Sequence, residues 1–72
     1  MRVVLEVDVE HLLDTINIIY ESFSNAEIEK IERSDEEYSY RITFSTSLGL
    51  KQILEVLDKY ELLITLVSLR VI

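Results

Sequence analysis

The chain has 72 residues, of which 49% are hydrophobic and 29% charged, with one glycine, no proline and no cysteine. This length and composition predict one small folded domain, 1–72, and exclude a disordered tail, a disulfide framework and a thiolate metal site. The formal net charge of -7 opposes unaided binding to nucleic acid or to an anionic membrane. Because so short a chain buries only a small core, association with another chain is a common source of added stability.

The sequence also argues against export and against a membrane span. Acidic residues interrupt the N-terminal segment before the apolar stretch of an export signal could form. The uncharged apolar run from Leu62 to Leu69 is far shorter than the roughly 20 residues that span a bilayer. We therefore expect a cytoplasmic protein without a membrane partner.

The spacing of apolar residues distinguishes the first two predicted elements. Every odd position from Met1 to Val9 is apolar, which predicts a strand with one buried face. Apolar residues then recur at three- and four-residue spacing, which predicts an amphipathic helix. These helix positions are Leu12, Leu13, Ile16, Ile19, Tyr20 and Phe23. Asn25 marks the end of this helix, since asparagine tolerates the left-handed conformation that follows a last helical turn.

A hairpin is predicted next. Ile28 and Ile31 would fall on opposite faces of a regular strand, so the segment from Ala26 to Arg33 is typical of either a bulged strand or an exposed edge strand, and we interpret it as an edge strand. A polar loop at 34–37 leads to the clearest strand, in which apolar and polar residues alternate. Its apolar side chains are expected to pack beneath the helices rather than to stack on RNA bases. They are Tyr38, Tyr40, Ile42 and Phe44.

Ser45, Thr46 and Ser47 offer N-caps for a second helix. The predicted apolar side of this helix consists of Leu50, Ile53, Leu54 and Leu57. The order strand, helix, strand, strand, helix predicts an α+β fold with two layers and an antiparallel sheet, β-α-β-β-α.

The segment from Tyr60 to Ile72 has two interpretations. Its β-branched residues favour a fourth strand, which would complete a ferredoxin-like fold. No Gly, Pro or Asn stops the helix between Leu57 and Leu63, and helical spacing continues, so the extension of the second helix is the interpretation we prefer. Either form leaves apolar surface that the chain alone covers poorly, so we expect a protein partner, either a second copy or a paralogous small subunit. The predicted interface residues are Leu62, Ile64, Leu66, Val67 and Leu69.

The sequence predicts no catalytic, cofactor or metal site. The only histidine, His11, has no nucleophile beside it, and its spacing from Asp8 and Glu10 matches no metal-site pattern. A single glycine cannot form a phosphate-cradling loop. The acidic residues of the hairpin are interpreted as a solvated face, with docking of a basic protein as the alternative. These residues are Glu27, Glu29, Glu32, Asp35, Glu36 and Glu37.

A wider pattern resembles a known family. The alternating third strand, the serine-rich cap and the long apolar helix predicted over Val56–Ile64 are similar to the small dimerising subunit of the KEOPS complex. The stretches 3–9 and 16–22 are similar to the first strand and helix of that family. The resemblance implies a non-catalytic subunit of the machinery that makes threonylcarbamoyladenosine in tRNA. Such a subunit dimerises with itself or a paralogue and contacts the catalytic subunit. Residues 50–55 do not reproduce the family's Arg/Ser/Val/Asn signature, so a divergent paralogue within a heterodimer fits better.

Two other classes of function stay open. A regulatory ligand-binding module of ferredoxin-like shape, acting as a homodimer, resembles this chain in layout. Val9-Glu10-His11 stands where such modules have a Gly-rich turn. A stand-alone enzyme would need a nucleophile with its base or a cofactor loop, and the sequence offers neither.

Overall fold

The computed structural model describes residues 1–35, 38–61 and 63–71, which form a four-stranded antiparallel sheet and two α-helices. The strands are β1 (Arg2–Asp8), β2 (Glu27–Arg33), β3 (Ser39–Ser45) and β4 (Thr65–Arg70). The helices are α1 (Leu12–Ser22), which follows a 3-10 turn at Val9–His11, and α2 (Leu50–Lys59). The strand order β2-β3-β1-β4 is the ferredoxin-like arrangement. Among the described residues, no helix is long and apolar enough to cross a membrane.

Thr65–Arg70 forms a strand, so our preference for a longer second helix is wrong and the four-stranded alternative is confirmed. The N–H groups of Leu63 and Ile64 both donate to the Tyr60 carbonyl, at 2.9 and 3.0 Å, as the chain turns away from α2. β4 then pairs with β1, where Leu69 lies opposite Val3. The buried strand β1 thereby gains hydrogen bonds along both of its edges, which a longer helix would not supply. Helical spacing within the segment contains no information about this distant pairing.

The core lies between the sheet and the helices and is built from alternate strand positions. Its buried apolar residues are Val3, Leu5, Val7, Ile19, Phe23, Ile42, Phe44, Ile53 and Ile64. The rings of Phe23 and Phe44 meet edge to face, with centroids 4.9 Å apart and planes at 68°. The predicted period of two is confirmed within β1 and β3, where alternate apolar residues are buried or half-buried. It does not extend to Val9, which lies in the 3-10 turn and is 46% exposed.

β2 is an edge strand, which confirms that interpretation of its sequence, and it also contains a bulge. The pairing of β2 with β3 places Ile28 opposite Phe44 and Ile31 opposite Ile42. The register shifts at Glu29, between these two pairs. Because both β3 partners are buried, the one extra residue brings both isoleucines to the helix side of the sheet.

Tyr38 lies outside the core, which corrects its assignment to the buried stripe of the third strand. β3 begins one residue later, at Ser39. Tyr38 has a left-handed backbone with φ 63° and an exposed ring, and its carbonyl accepts a hydrogen bond of 2.7 Å from the Val9 N–H. It is a turn residue, whereas Tyr40 is half-buried within the strand. The predicted loop at 34–37 falls partly outside the described residues, which omit 36 and 37.

The serine-rich segment before α2 does not cap that helix, which corrects the predicted N-cap. Gly49 is the N-cap residue, and its N–H donates to the Gln52 Oε1 atom at 3.1 Å. The hydroxyls of Thr46 and Ser47 instead donate to the Ser24 carbonyl, at 2.7 and 3.2 Å. A carbonyl beyond the last turn of α1 needs such donors, and the tertiary structure brings them there.

Candidate interaction surface

The face of the sheet opposite the helices is polar. The Arg2 guanidinium donates two hydrogen bonds to the Glu29 carboxylate, at 2.9 and 3.2 Å. These hydrogen bonds, together with the negative charge of the Glu29 carboxylate, raise the pKa of Arg2. On β1 and β3 this face presents no aromatic ring on which a nucleic-acid base could stack. Its side chains on those strands are Arg2, Val4, Glu6, Asp8, Ser39, Arg41, Thr43 and Ser45.

β4 is the outermost strand on one side of this sheet. Within the part of the chain that the structure describes, no strand pairs with its outer backbone edge. Leu66 and Val67 on this strand are 37% and 39% exposed, and Arg70 is its one charged residue. The opposite edge strand, β2, has five charged residues out of seven, which protect an edge from unwanted pairing. The two edges of the sheet therefore differ, and β4 is the one suited to pairing.

An open groove of about 620 Å³ runs between α2 and β4. Its apolar lining consists of Leu54, Leu57, Ile64 and Leu66. Lys51 and three acidic residues, Glu55, Asp58 and Glu61, contribute the charged part of the lining. Leu54 is 46% exposed although it belongs to the predicted apolar side of the helix. The groove thus extends the apolar surface of the β4 edge onto α2.

The five predicted interface residues have different environments in the protomer. Ile64 is only 6% exposed and belongs to the core. Leu69 is half-buried opposite Val3, whereas Leu66 and Val67 reach the surface. Leu62 lies outside the described residues. In the isolated protomer, Leu66 and Val67 are the two predicted residues with the most surface to offer a partner.

The helical pattern missed Leu50 and Leu54 as surface residues because it assigned both to the core. Both are about half exposed, while Ile53 is fully buried. At about 100° per residue, the four predicted residues span an arc of about 100°, with Ile53 and Leu54 at its two margins and Leu50 and Leu57 between them. The helical pattern therefore contains no signal of which of these residues the sheet covers.

The residues considered for metal binding or acidic docking are at the surface. The His11 Nε2 atom lies 3.4 Å from a Glu10 carboxylate oxygen, beside the 3-10 turn. A search of the described residues finds no group of three or more His, Cys, Asp or Glu side chains that could hold a metal ion. Among the hairpin acids, Glu27, Glu29, Glu32 and Asp35 are exposed, and Glu36 and Glu37 lie outside the described residues.

Comparison of the chain with protein-family models, with curated proteins and with solved structures finds no match in any of the three. A functional assignment therefore has to be argued from the geometry of the chain itself.

Proposed function

We propose that this chain is a non-catalytic interaction subunit. Its binding region is the β4 surface, which we define as the outer backbone edge of β4 together with the side chains of Leu54, Leu66 and Val67. The supporting observation is that an unpaired strand edge lies beside an apolar groove. Such a surface can bind an added strand through main-chain hydrogen bonds and hold its apolar side chains in the groove.

The free energies of side-chain burial and of association favour strand pairing over side-chain contact alone. The three side chains of the β4 surface are already more than half buried, so complete burial contributes only about 1 kcal/mol each. Association costs at least about 4 kcal/mol in lost translational and rotational freedom. A complex held by these three side chains alone would not form, and a partner must also engage the backbone edge or additional surface.

A specific complex follows from the sequence resemblance. We propose KEOPS as the larger assembly, with this chain as the partner of a paralogous small subunit. Of the apolar run 56–64 on which the resemblance partly rests, α2 includes the residues up to Lys59. Co-expression with the small and catalytic subunits of KEOPS tests this assignment. A stoichiometric complex that survives gel filtration would support it, and separate elution of the chain would contradict it.

The groove supports a second candidate, a regulatory ligand-binding module. Its volume of about 620 Å³ lies within the range of small-molecule sites. A ligand of this site would combine an apolar body with a cationic group, because acidic side chains outnumber the one lysine in the lining. Binding of such a ligand should raise the unfolding temperature of the wild-type chain. The rise should be smaller in a Leu54→Asp variant, and an equal rise in both would place the ligand elsewhere.

The interaction proposal is tested with three matched aspartate substitutions. We expect Leu66→Asp to reduce the mass of the assembly to that of the protomer, because it introduces a charge into the β4 surface. Leu13→Asp makes the same charge change on α1, where Leu13 is 76% exposed, and should leave the assembly intact. Ile64→Asp should unfold the protomer, since its side chain is in the core.

The measurement is mass by light scattering of the chain, alone and as isolated from its own cell extract, with circular dichroism as the check on folding. Loss of assembly in Leu66→Asp with an unchanged spectrum supports the proposal. A wild-type chain that is monomeric in both preparations contradicts it, as does equal disruption by Leu13→Asp.

A further inference from the structure

We infer that the partner of the β4 surface is a second copy of this chain, with the two β4 strands paired antiparallel across a two-fold axis. This inference rests on the proposed interaction function, and it assigns the β4 surface to a second copy in place of the paralogous small subunit proposed within KEOPS. Both sheets would then join into one continuous sheet, with all the helices on the same side. Three observations carry it: the order of faces along β4, the position of its one charge, and a carboxylate group on β1 that one arginine contacts without a hydrogen bond.

Along β4, side chains lie on the polar face and on the helix side of the sheet in an order that is the same from either end of the strand. Opposite β1, Thr65 and Arg70 lie on the polar face of the sheet, and Leu66 and Leu69 lie on the helix side. The register shift makes Val67 the extra residue near the middle of the strand. When the strand is reversed, Thr65 meets Arg70 of the second copy and Leu66 meets Leu69, with faces matched.

That match depends on the bulge. In a regular strand, residues separated by an odd number of positions lie on opposite faces, so Thr65 and Arg70 could not both be on the polar side. The one extra residue at Val67 corrects this parity. The bulge therefore selects the register in which Val67 of one copy lies opposite Ser68 of the other.

Charge complementarity favours the same register. Arg70 lies at one end of β4, and Glu6 lies opposite Thr65 at the other end. Antiparallel pairing brings Arg70 of the second copy next to Thr65, one strand away from Glu6. Among the described residues, the Glu6 Oε1 and Arg41 Nε atoms form an ion pair at 3.7 Å, and both are buried without a hydrogen-bond partner. Arg70 of the second copy would bring a second cation to the Glu6 carboxylate.

The same sheet shows that an arginine can span this distance. Arg2 on β1 is paired with Ser45 on β3, and its guanidinium crosses β3 to bind Glu29 on β2 at 2.9 Å. Thr65 is a small residue like Ser45. An arginine beside Thr65 can therefore reach Glu6 across one strand in the same way.

The contact is modest in size, so we expect a concentration-dependent equilibrium between monomer and dimer. Six paired residues extend over about 20 Å. A standard interface of about 800 Å² per partner would take roughly one-sixth of the protomer's accessible surface of 4864 Å². The net charge of -7 on each copy adds repulsion, which screening by salt weakens.

Engineered cysteines test the register directly, because the chain has none of its own. A Thr65→Cys copy mixed with an Arg70→Cys copy should form a disulfide-linked dimer under oxidised glutathione, since directly opposite residues have Cα atoms within disulfide range. Either variant alone should remain uncross-linked, because its two cysteines would be about 17 Å apart along the paired strands. The matched control is Glu27→Cys mixed with Arg33→Cys on the other edge strand, β2.

Charge exchange tests the Arg70 contact independently. Arg70→Glu and Glu6→Arg should each weaken dimerisation by about ten-fold, and an equal mixture of the two should restore it because each charge then faces an opposite one. Arg33→Glu and Glu32→Arg, which make the same charge changes on β2, should have little effect. If Glu6→Arg fails to fold, Glu6→Gln replaces it and should weaken dimerisation without restoring it in the mixture.

The outcomes separate this inference from the proposed function. Selective cross-linking of the mixed pair, with restoration by charge exchange, supports the second copy. A chain that assembles through Leu66 with another protein but not with itself overturns the inference and leaves the proposed function standing. A chain that stays monomeric at every concentration and in its own extract overturns both.

Discussion

At the residue scale, Asn25 shows a local property that is readable from residue type. It follows α1 with φ 55°, in the left-handed region that asparagine tolerates, as the sequence predicts. Its Nδ2 atom also donates to the Ser47 hydroxyl at 3.1 Å. The residue therefore has a backbone role and a side-chain role that can be separated.

We expect Asn25→Ala to lower the free energy of unfolding by about 1 kcal/mol relative to Asn25→Gly. Both variants lose the hydrogen bond to Ser47, so their difference reports the cost of the left-handed backbone alone. Urea denaturation measures it. Equal stability of the two variants would contradict the assignment of backbone strain to this position.

The contact between Phe23 and Phe44 is a second residue-scale feature, because it joins the end of α1 to the central strand β3. The edge-to-face geometry at 4.9 Å predicts a coupling free energy of about 0.5–1.5 kcal/mol beyond the area that each ring buries. A double-mutant cycle of Phe23→Leu and Phe44→Leu, followed by urea denaturation, measures it. Strict additivity of the two substitutions would show that the ring geometry contributes nothing.

At the scale of elements, β4 shows how strand pairing overrides the helical spacing of apolar residues within a segment. Segment 60–71 satisfies a helical pattern, yet the structure uses it to complete the hydrogen bonds of β1. A buried strand with one unpaired edge would leave several backbone donors and acceptors unsatisfied, each at a cost of about 1–3 kcal/mol. Helix propensities of ordinary residues differ from one another by less than about 0.7 kcal/mol per residue, so strand pairing decides the structure of this segment.

We expect NMR spectra to show strand-type Cα chemical shifts from Thr65 to Arg70 and cross-strand contacts between Val3 and Leu69. β1 amides should exchange slowly along the whole strand, because both of its edges are paired. Helical Cα shifts through this segment would contradict the four-stranded sheet. Residues of α2 up to Lys59 provide the internal helical reference.

At the scale of the whole molecule, the small core makes the fold sensitive to single substitutions. Ile42 is fully buried on the central strand β3. Truncation of such a side chain costs about 2–5 kcal/mol, and a core in a chain of this size supplies no more than about 3–5 kcal/mol of net stability. One cavity is therefore comparable with the entire stability of the protomer.

We expect Ile42→Ala to be largely unfolded at room temperature in dilute solution, as circular dichroism would show. Ile31→Ala on the edge strand β2 is the control, since Ile31 is 42% exposed and its truncation should cost much less. A stably folded Ile42→Ala variant would mean that the protomer has a larger reserve of stability than its core predicts.

Part of the candidate surface was accessible from the sequence. Leu66 and Val67 were predicted as interface residues because an apolar segment of this size exceeded what the chain could cover, and both are partly exposed on β4. Leu54 was not predicted as an interface residue, because the spacing of apolar residues does not say how much of the apolar side of a helix a neighbouring sheet covers. Ile64 shows the converse, since an apolar residue of the same segment was needed in the core.

By itself, the sequence determined the features that depend on residues near one another in the chain. These are the buried alternation of β1 and β3, the first helix, the left-handed Asn25 and the edge character of β2, all of which reflect local period or residue type. Only the tertiary structure decided that the segment after Tyr60 is a strand, that Tyr38 lies in a turn and that Leu54 borders a groove. Each of these depends on hydrogen bonds or burial supplied by residues distant in sequence, which a local pattern does not contain.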